Sequence, residues 1–388
     1  MGDGVSGQET FTPSAVSENK YSVELGFILD ICLHPDVPRP LPEKIDWNRV
    51  RVLLGNHAVK PLFAHNILAG AVVLPDPISD ELKTALREST IQHLYQSAQL
   101  MSLYKYMAEN GIPAFPTKGP LWSYLFYPVP ATRTYSDLDF IIPLNKITDA
   151  VASVAANGYE IEPYRNYLIE KGNLLDTLIA EDTQLMFCGR DARRKLPPVE
   201  IHWRVIYQRF GDFFLWEELM QNAGTYQINQ LQVKAPRPEY QLLLLVIHHG
   251  LIEQWSKIKF VVDLVFFLRK EGATLDWDFI RAKASEKAIL KIVTDSLELA
   301  RRFDPSVVPP KALSNPAYSP KRDVLQPEPV WEKGRKEVST QSLRILLFNI
   351  RHRDTFVAKI SILARHVRFL SRIKLHLYKL LFSKQNSA

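Results

Sequence analysis

Two aspartates, Asp137 and Asp139, stand one residue apart at the start of a strand-like apolar stretch in the sequence SDLDFIIP. Side chains at positions i and i+2 of a strand point to the same face of a sheet. Two adjacent carboxylates repel each other, and burying them is unfavourable unless a cation lies between them. The pair therefore predicts a divalent-cation site, with magnesium favoured because hard oxygen ligands suit a hard ion.

A third carboxylate follows in the sequence PPVEIHWRVIY, where Glu200 lies in the middle of an apolar strand. His202 is two residues later and is predicted on the same face. Phosphates of a nucleotide would complete the coordination shell of the cation. Upstream, Lys118 and Gly119 end a short strand before a helix, whose N-terminal N–H groups favour phosphate. Lys118 would add a positive charge there.

Three further residues near this pattern have two interpretations each. Arg133 would contact a phosphate or the substrate, or it would form a structural salt bridge with Asp137. Ser136 would frame a base or a hydroxyl, or it would serve only the turn. His202 would be a hydrogen-bonded neighbour of the site, or it would act as a catalytic base.

Two other polar features lie outside this pattern. His248 and His249 are adjacent on an apolar helix, and at least one is predicted to be a core histidine with a hydrogen-bond partner. The turn RDARRK at residues 190–195 is predicted to be a solvated hairpin turn, with a basic clamp for phosphate or nucleic acid as the alternative.

The hydrophobic period changes along the chain and divides it into six parts. These are a disordered tail at 1–20, a helical N-terminal subdomain at 21–111, a segment of strands and helices at 112–235, a helical subdomain at 236–302, a Pro-rich linker at 303–333 and a basic amphipathic helical tail at 334–388. Within residues 112–235 the order is strand, helix, strand, helix, strand, strand. This order between helical flanks predicts an α+β protein with a small mixed β-sheet.

Positive charge is concentrated near the C-terminus. The net charge is +6, but residues 335–388 hold 12 Lys and Arg against 2 Asp and Glu, so the first 334 residues are net negative. Apolar residues recur at helical spacing in the same segment. It is predicted to be a helix pair that packs on the core with a basic outer face, or a helix that lies on an anionic membrane surface. Nucleic acid is the less favoured partner.

The sequence also restricts the compartment. Only two cysteines occur, Cys32 and Cys188, which indicates a reducing environment. The N-terminus lacks the basic and apolar regions of a signal peptide, and no apolar run reaches the roughly 18 residues of a membrane span. Gly2 and Ser6 match the loose myristoylation pattern. We expect a cytoplasmic protein, with peripheral association at the inner membrane face as a further expectation.

The order of these motifs resembles the family of uncharacterised nucleotidyltransferases, with its pattern LKG…R…DxDxxV…ExHW. The resemblance extends over roughly residues 22–285, including the lead-in IDWNRVRVLLGNHAVKPLFAHNIL. It implies a small polymerase-β-like palm that binds Mg²⁺ or Mn²⁺ and a nucleoside triphosphate. Asp137 and Asp139 would be the metal ligands and Glu200 the third carboxylate. Gly119 would shape the phosphate turn, with Lys118 beside it.

The expected reaction is transfer of a nucleoside monophosphate from a nucleoside triphosphate to a hydroxyl, with pyrophosphate leaving. Glu200 would complete the site and orient or deprotonate the acceptor. The acceptor is unassigned and could belong to a protein, a sugar or a small molecule. The alternative from another functional class is an inactive palm that serves as a binding or scaffolding module, recruited to a membrane by its basic tail.

Overall fold

The computed structural model describes residues 21–37, 40–70, 72–172, 175–191, 193, 195–211, 213–313, 325, 327–333 and 341–383. The predicted disordered tail at 1–20, with the acylation pattern at Gly2, lies outside these residues. In the described part, helices flank a small mixed β-sheet. The α+β class predicted from the sequence is therefore confirmed.

Four helices form the N-terminal region: α1 (Val23–Leu33), α2 (Trp47–Asn56), α3 (Lys60–Ala69) and α4 (Asp76–Glu109). Asp46 caps α2, because its side chain accepts hydrogen bonds from two backbone N–H groups of the first turn. Helix α4 begins at Asp76, since Pro77 is tolerated in a first helical turn. It ends at Glu109, and Gly111, which has a φ of 67°, follows it in the left-handed region.

The palm follows, with β1 (Phe115–Thr117), α5 (Gly119–Phe126), β2 (Leu138–Ile141), α6 (Ile147–Ala156), β3 (Tyr159–Ile161), α7 (Pro163–Gly172), α8 (Leu175–Glu181), β4 (Gln184–Gly189) and β5 (Val199–His202). The five strands have the order β1-β2-β5-β4-β3. The central pair β2–β5 is parallel and the other three pairs are antiparallel. The sequence predicts neither β3 nor the helices α7 and α8.

The two faces of the central strands differ sharply. Leu138 and Phe140 on β2, with Val199 and Ile201 on β5, are buried in the core. Residues at alternating positions point the other way, and there the two strands present acidic and imidazole groups instead. An apolar face anchors the sheet, so its opposite face is available for a polar site.

Helix α9 (Trp216–Gln221) leads into a separate hairpin of β6 (Ala223–Ile228) and β7 (Leu231–Pro236). The hairpin has a two-residue loop in which Asn229 has a φ of 50°, a backbone conformation that asparagine tolerates. Trp216 stacks on Phe115 of β1 with ring centroids 4.5 Å apart. This contact joins the hairpin region to the edge of the larger sheet.

The remaining elements are helical: α10 (Pro238–Leu245), a π-helical segment (Val246–Ile252), α11 (Ile258–Glu271), α12 (Trp277–Glu286), α13 (Leu290–Phe303), α14 (Pro310–Leu313), α15 (Glu328–Lys333), α16 (Gln341–Arg351) and α17 (Phe356–Ser383). None of the helices in the described ranges is both long and apolar enough to cross a membrane.

The described part of the Pro-rich segment differs from a simple spacer. Trp331 on α15 is fully buried, and its indole N–H donates to the carbonyl oxygen of Trp255 at 2.8 Å. The carbonyl oxygen of Trp331 in turn lies 3.0 Å from Nε2 of buried His57. Prolines interrupt the helical period in this segment, but its apolar side chains still pack on the core.

Candidate active site

The register of β2 against β5 places Asp139 directly opposite Glu200. Both side chains lie on the polar face of the sheet, and His202 lies on that face two residues after Glu200. Asp139 is buried, with 2% of its surface exposed. Parallel pairing therefore brings together two carboxylates that are far apart in sequence.

His202 bridges these carboxylates. Its Nε2 atom is 2.9 Å from Oδ1 of Asp139 and 3.3 Å from Oε2 of Glu200. Nζ of Lys118 approaches the same Asp139 oxygen at 3.4 Å. Of the two interpretations of His202, this geometry is that of a hydrogen-bonded neighbour of the carboxylates.

The pKa values follow from this arrangement. Burial opposes ionisation of Asp139, but Lys118 and the hydrogen bond from His202 outweigh it and lower the pKa of Asp139. Burial likewise opposes protonation of His202, but its hydrogen bonds to Asp139 and Glu200 raise its pKa. The cluster therefore stabilises negative charge on Asp139 and positive charge on its neighbours.

Asp137 occupies a different position from the one that the sequence predicts. Strand β2 begins at Leu138, whose N–H donates to the carbonyl oxygen of Pro198, so Asp137 lies in the bend before the strand. It lines the same cavity as Asp139. Burial, with the negative charges of Asp139 and Glu200, raises the pKa of Asp137 to about 6. Ser136, next to it, is exposed and also lines the cavity.

The turn between β1 and α5 is strained. Lys118 has φ 47° and ψ −131°, a combination that is rare for a residue with a side chain. Gly119 has a φ of 28°, and a Cβ atom there would lie 3.4 Å from the carbonyl oxygen of Asp137. This backbone holds the ammonium group of Lys118 against Asp139 at the N-terminus of α5.

Arg133 is part of a buried ion pair, and its partner is Asp263 on α11 rather than Asp137. Nε and Nη2 of Arg133 donate to the two oxygens of Asp263 at 2.8 and 2.9 Å. Nη1 donates to the carbonyl oxygen of Gly119 at 3.2 Å, and only 4% of Arg133 is exposed. Arg133 lines the cavity, but these bonds occupy all three of its nitrogens, so its geometry indicates that it positions the turn between β1 and α5.

A chain of hydrogen bonds leads from Asp263 to the cavity. Nε2 of His249 lies 3.0 Å from Oδ2 of Asp263, and Nδ1 of His249 lies 3.0 Å from Nδ1 of His248. Burial lowers the pKa of His249 to about 4, and burial with Lys118 lowers the pKa of His248. A carboxylate only accepts, so neutral His249 donates through Nε2 and accepts at Nδ1. His248 then donates through Nδ1, and its Nε2 remains an acceptor; both histidines line the cavity.

Asp137, Asp139, Glu200, His202 and the two histidines at 248–249 line a cavity of about 680 Å³, a size suited to a small-molecule ligand. Two cationic residues that the sequence did not single out, Lys257 and Lys259 at the start of α11, also line it. Burial, then the positive charge of Arg133, lowers the pKa of Lys259 to about 8. The described residues of the basic turn at 190–195 are not among the residues of the cavity wall.

The cavity contains a donor set that suits a divalent cation. Asp139, Glu200 and His202 each offer one ligand atom, and these three atoms lie within 4.8 Å of one another. Carboxylate oxygens suit Mg²⁺, and the imidazole extends the set towards Mn²⁺. Asp137 is outside this three-residue group, although it lines the same cavity.

Two comparisons bear on the identity of the chain. A search of curated proteins found no match. The model of the family described as uncharacterised nucleotidyltransferase matches residues 43–304, which contain the palm strands, the acidic groups and helix α11. Because this match covers more than half of the 388 residues, the chain belongs to the uncharacterised nucleotidyltransferase family.

Proposed function

We propose that the protein is a metal-dependent nucleotidyltransferase that moves a nucleoside monophosphate from a nucleoside triphosphate to a hydroxyl group. The observation that supports this most strongly is the pairing of Asp139 with Glu200 in a cavity that is also lined by Lys118, Lys257 and Lys259. Carboxylates and ammonium groups in one cavity suit a triphosphate that arrives with a divalent cation.

Asp139 and Glu200 would hold the cation, with His202 as the third ligand or as a hydrogen-bonding neighbour. Asp137 would join them once it is ionised. A cation bound there would neutralise charge on the triphosphate and on the carboxylates. Either Mg²⁺ or Mn²⁺ would suit this site, because the donor set contains both oxygen and nitrogen.

The chain's own residues would orient the phosphates. Lys118 and the N-terminus of α5 present positive charge on one side of the carboxylates. Lys259 has a pKa of about 8 and is therefore mostly protonated at neutral pH, as a phosphate contact requires. Catalysis would then consist mainly of positioning and charge neutralisation, as in phosphoryl transfer generally.

In the proposed reaction the acceptor oxygen bonds to the α-phosphorus, the bond between that phosphorus and the bridging oxygen breaks, and pyrophosphate leaves. The hydroxyl proton passes to a base in the cavity. Glu200 is one candidate, and the acceptor atom Nε2 of His248 is the other. The acceptor molecule is a hydroxyl compound from a protein, a sugar or a small metabolite.

The test measures nucleotide turnover by mass spectrometry of the products formed from each nucleoside triphosphate with Mg²⁺ or Mn²⁺. Asp139→Asn and Glu200→Gln should each reduce turnover at least about 100-fold, because each removes charge from the cation site. Matched controls are Asp149→Asn, an exposed position on α6, and Glu160→Gln on edge strand β3, which should retain turnover.

A second measurement separates binding from catalysis. A nucleotide at 100 times its dissociation constant should stabilise the wild type by about 2.7 kcal/mol, and only when the divalent cation is present. Stabilisation without any product would favour the inactive binding module. A product heavier by a phosphoryl group only would indicate a phosphotransferase, and turnover that survives Asp139→Asn would refute the assigned site.

A further inference from the structure

Helix α17 has an apolar stripe that faces away from the rest of the described chain. Six large apolar side chains recur at helical spacing and are exposed: Phe356, Val357, Ile360, Leu363, Val367 and Leu370. Val357 is 77% exposed and Val367 is 65% exposed. The stripe extends over 15 residues, or roughly 20 Å of helix. A patch of this kind marks an interaction surface.

The opposite face of α17 fixes the orientation of the helix. Ile362 on that face is buried, and Nη1 of Arg365 donates to the carbonyl oxygen of Gln208 at 3.0 Å. The guanidinium of Arg209 lies over the ring of Phe369, 4.5 Å from its centroid. The helix is therefore held by one face, and the apolar stripe lies on the other.

Positive charge borders the stripe on both sides. Arg368 follows Val367 by about 100° around the helix, and Lys359 precedes Ile360 by the same angle in the other direction. On the Arg368 side, α17 and residues 208–209 enclose a groove of about 380 Å³. This groove is lined by one carboxylate, that of Glu181, and by four arginines: Arg209, Arg365, Arg368 and Arg372.

We propose that α17 lies in the surface of a bilayer that contains anionic phospholipids. The apolar stripe enters the acyl boundary, and the arginine groove receives lipid phosphate groups. An amphipathic helix with a basic border has this affinity, because its apolar face enters the acyl boundary and its Lys and Arg side chains are attracted to the negative surface. A protein partner would need a matching acidic rim, whereas an anionic bilayer offers apolar and negative layers together at the required depth.

The experiment is co-sedimentation of the full chain with vesicles of phosphatidylcholine alone or with 30% phosphatidylserine, at about 0.1 M salt. We expect binding at least tenfold stronger to the phosphatidylserine vesicles, and a loss of binding as salt rises. Equal binding to both vesicles, or binding to neither, would overturn the proposal; the latter result would mean that another part of the chain covers the stripe.

Three variants locate the surface. Val367→Glu places a charge in the stripe, Arg368→Glu reverses a charge at its border, and each should weaken vesicle binding at least tenfold. The matched control is Leu94→Glu, an equally exposed apolar position on α4, which should bind as the wild type does. All three positions are exposed, so circular dichroism should report unchanged folding.

Two competing occupants give distinct results. If free phosphate at millimolar concentration saturates the groove without any vesicle binding, the groove is an anion site and the bilayer proposal fails. If the wild type instead forms dimers that Val367→Glu dissociates, with no vesicle binding, the stripe is covered by a second copy and the proposal is likewise overturned.

Discussion

Asp263 is the residue whose replacement tests the buried charge network most directly. Its carboxylate accepts four hydrogen bonds: from Tyr127 Oη at 2.6 Å, from Arg133 Nε and Nη2 at 2.8 and 2.9 Å, and from His249 Nε2 at 3.0 Å. Asp263→Asn keeps the size of the side chain but removes its charge. The guanidinium of Arg133 then remains buried without a counterion.

The expected magnitude follows from that loss. Breaking a buried ion pair by removing one partner typically destabilises a protein by about 3–5 kcal/mol, whereas an exposed pair contributes about 0–1 kcal/mol. Asp149→Asn is the matched control, since the pair of Lys146 with Asp149 is exposed on α6. We expect Asp263→Asn to lower the free energy of unfolding by at least 3 kcal/mol and Asp149→Asn by less than about 1 kcal/mol.

The assay is urea unfolding followed by both tryptophan fluorescence and circular dichroism, whose agreement checks that one transition is measured. A double-mutant cycle with Arg133→Met adds a second criterion. The double variant should be more stable than the sum of the two single losses predicts, by about 0.5–3 kcal/mol, because neither charge is left alone. Equal losses for Asp263→Asn and Asp149→Asn would refute the reasoning.

Asp263→Asn should also change the tautomer of His248, which lines the cavity. The new amide donates towards Nε2 of His249, so His249 must carry its proton on Nδ1. His248 then accepts at Nδ1 and carries its proton on Nε2, so Nε2 changes from an acceptor to a donor. Nitrogen-15 NMR of labelled histidines distinguishes these tautomers. An unchanged tautomer of His248 in Asp263→Asn would contradict the hydrogen-bond chain.

Three other predictions concern backbone space, backbone strain and pH. In Gly272→Ala the new Cβ atom would lie 2.5 Å from a backbone oxygen, so we expect a loss of more than 1 kcal/mol of stability. In Gly26→Ala, on α1, the new Cβ atom meets no atom within 4 Å, and stability should rise by about 0.5–1 kcal/mol. Equal effects of the two substitutions in urea unfolding would contradict this prediction. Lys118→Gly should relieve about 1–3 kcal/mol of backbone strain and also weaken nucleotide binding. Lys118→Met should weaken nucleotide binding without the gain in stability. A gain in stability in both variants would mean that the charge of Lys118, and not its backbone conformation, is responsible. Burial lowers the pKa of His57 to about 4, below its value in the unfolded chain, so its contribution to stability is complete well above pH 6.5 and has fallen by about 2 kcal/mol at pH 5. His57→Asn should be less acid-sensitive than the wild type by that amount, and parallel pH profiles would exclude this role.

Much of the acidic site could be predicted because strands have a period of two. Glu200 in an otherwise apolar strand, with His202 two residues later, indicated one polar face, and the structure has both on the face of Asp139. The position of Asp137 could not be predicted in the same way. Whether it belongs to β2 depends on where pairing with β5 begins, and that is set by the partner strand at Pro198.

The parts of the site on the π-helical segment and α11 were harder to predict from the sequence. Asp263 in the apolar run VVDLVFF indicates a buried acid that needs a cation, but nothing in the local sequence identifies Arg133, 130 residues earlier. The contact between His248 and His249 occurs in a π-helical segment, whose wider turn cannot be derived from a 3.6-residue period. Nothing in the sequence around Lys259 marks it as a residue of the cavity, and the packing of α11 places it there.

The parallel pairing of β2 with β5 also determines when the two carboxylates meet during folding. Asp139 and Glu200 are 61 positions apart, and a parallel pair forms only after the intervening chain has closed a long loop. Their mutual repulsion is therefore absent from early, local structure and arises when the central pair is completed. A cation that binds this pair contacts little that exists before that stage, so it should slow unfolding and leave the folding rate nearly unchanged.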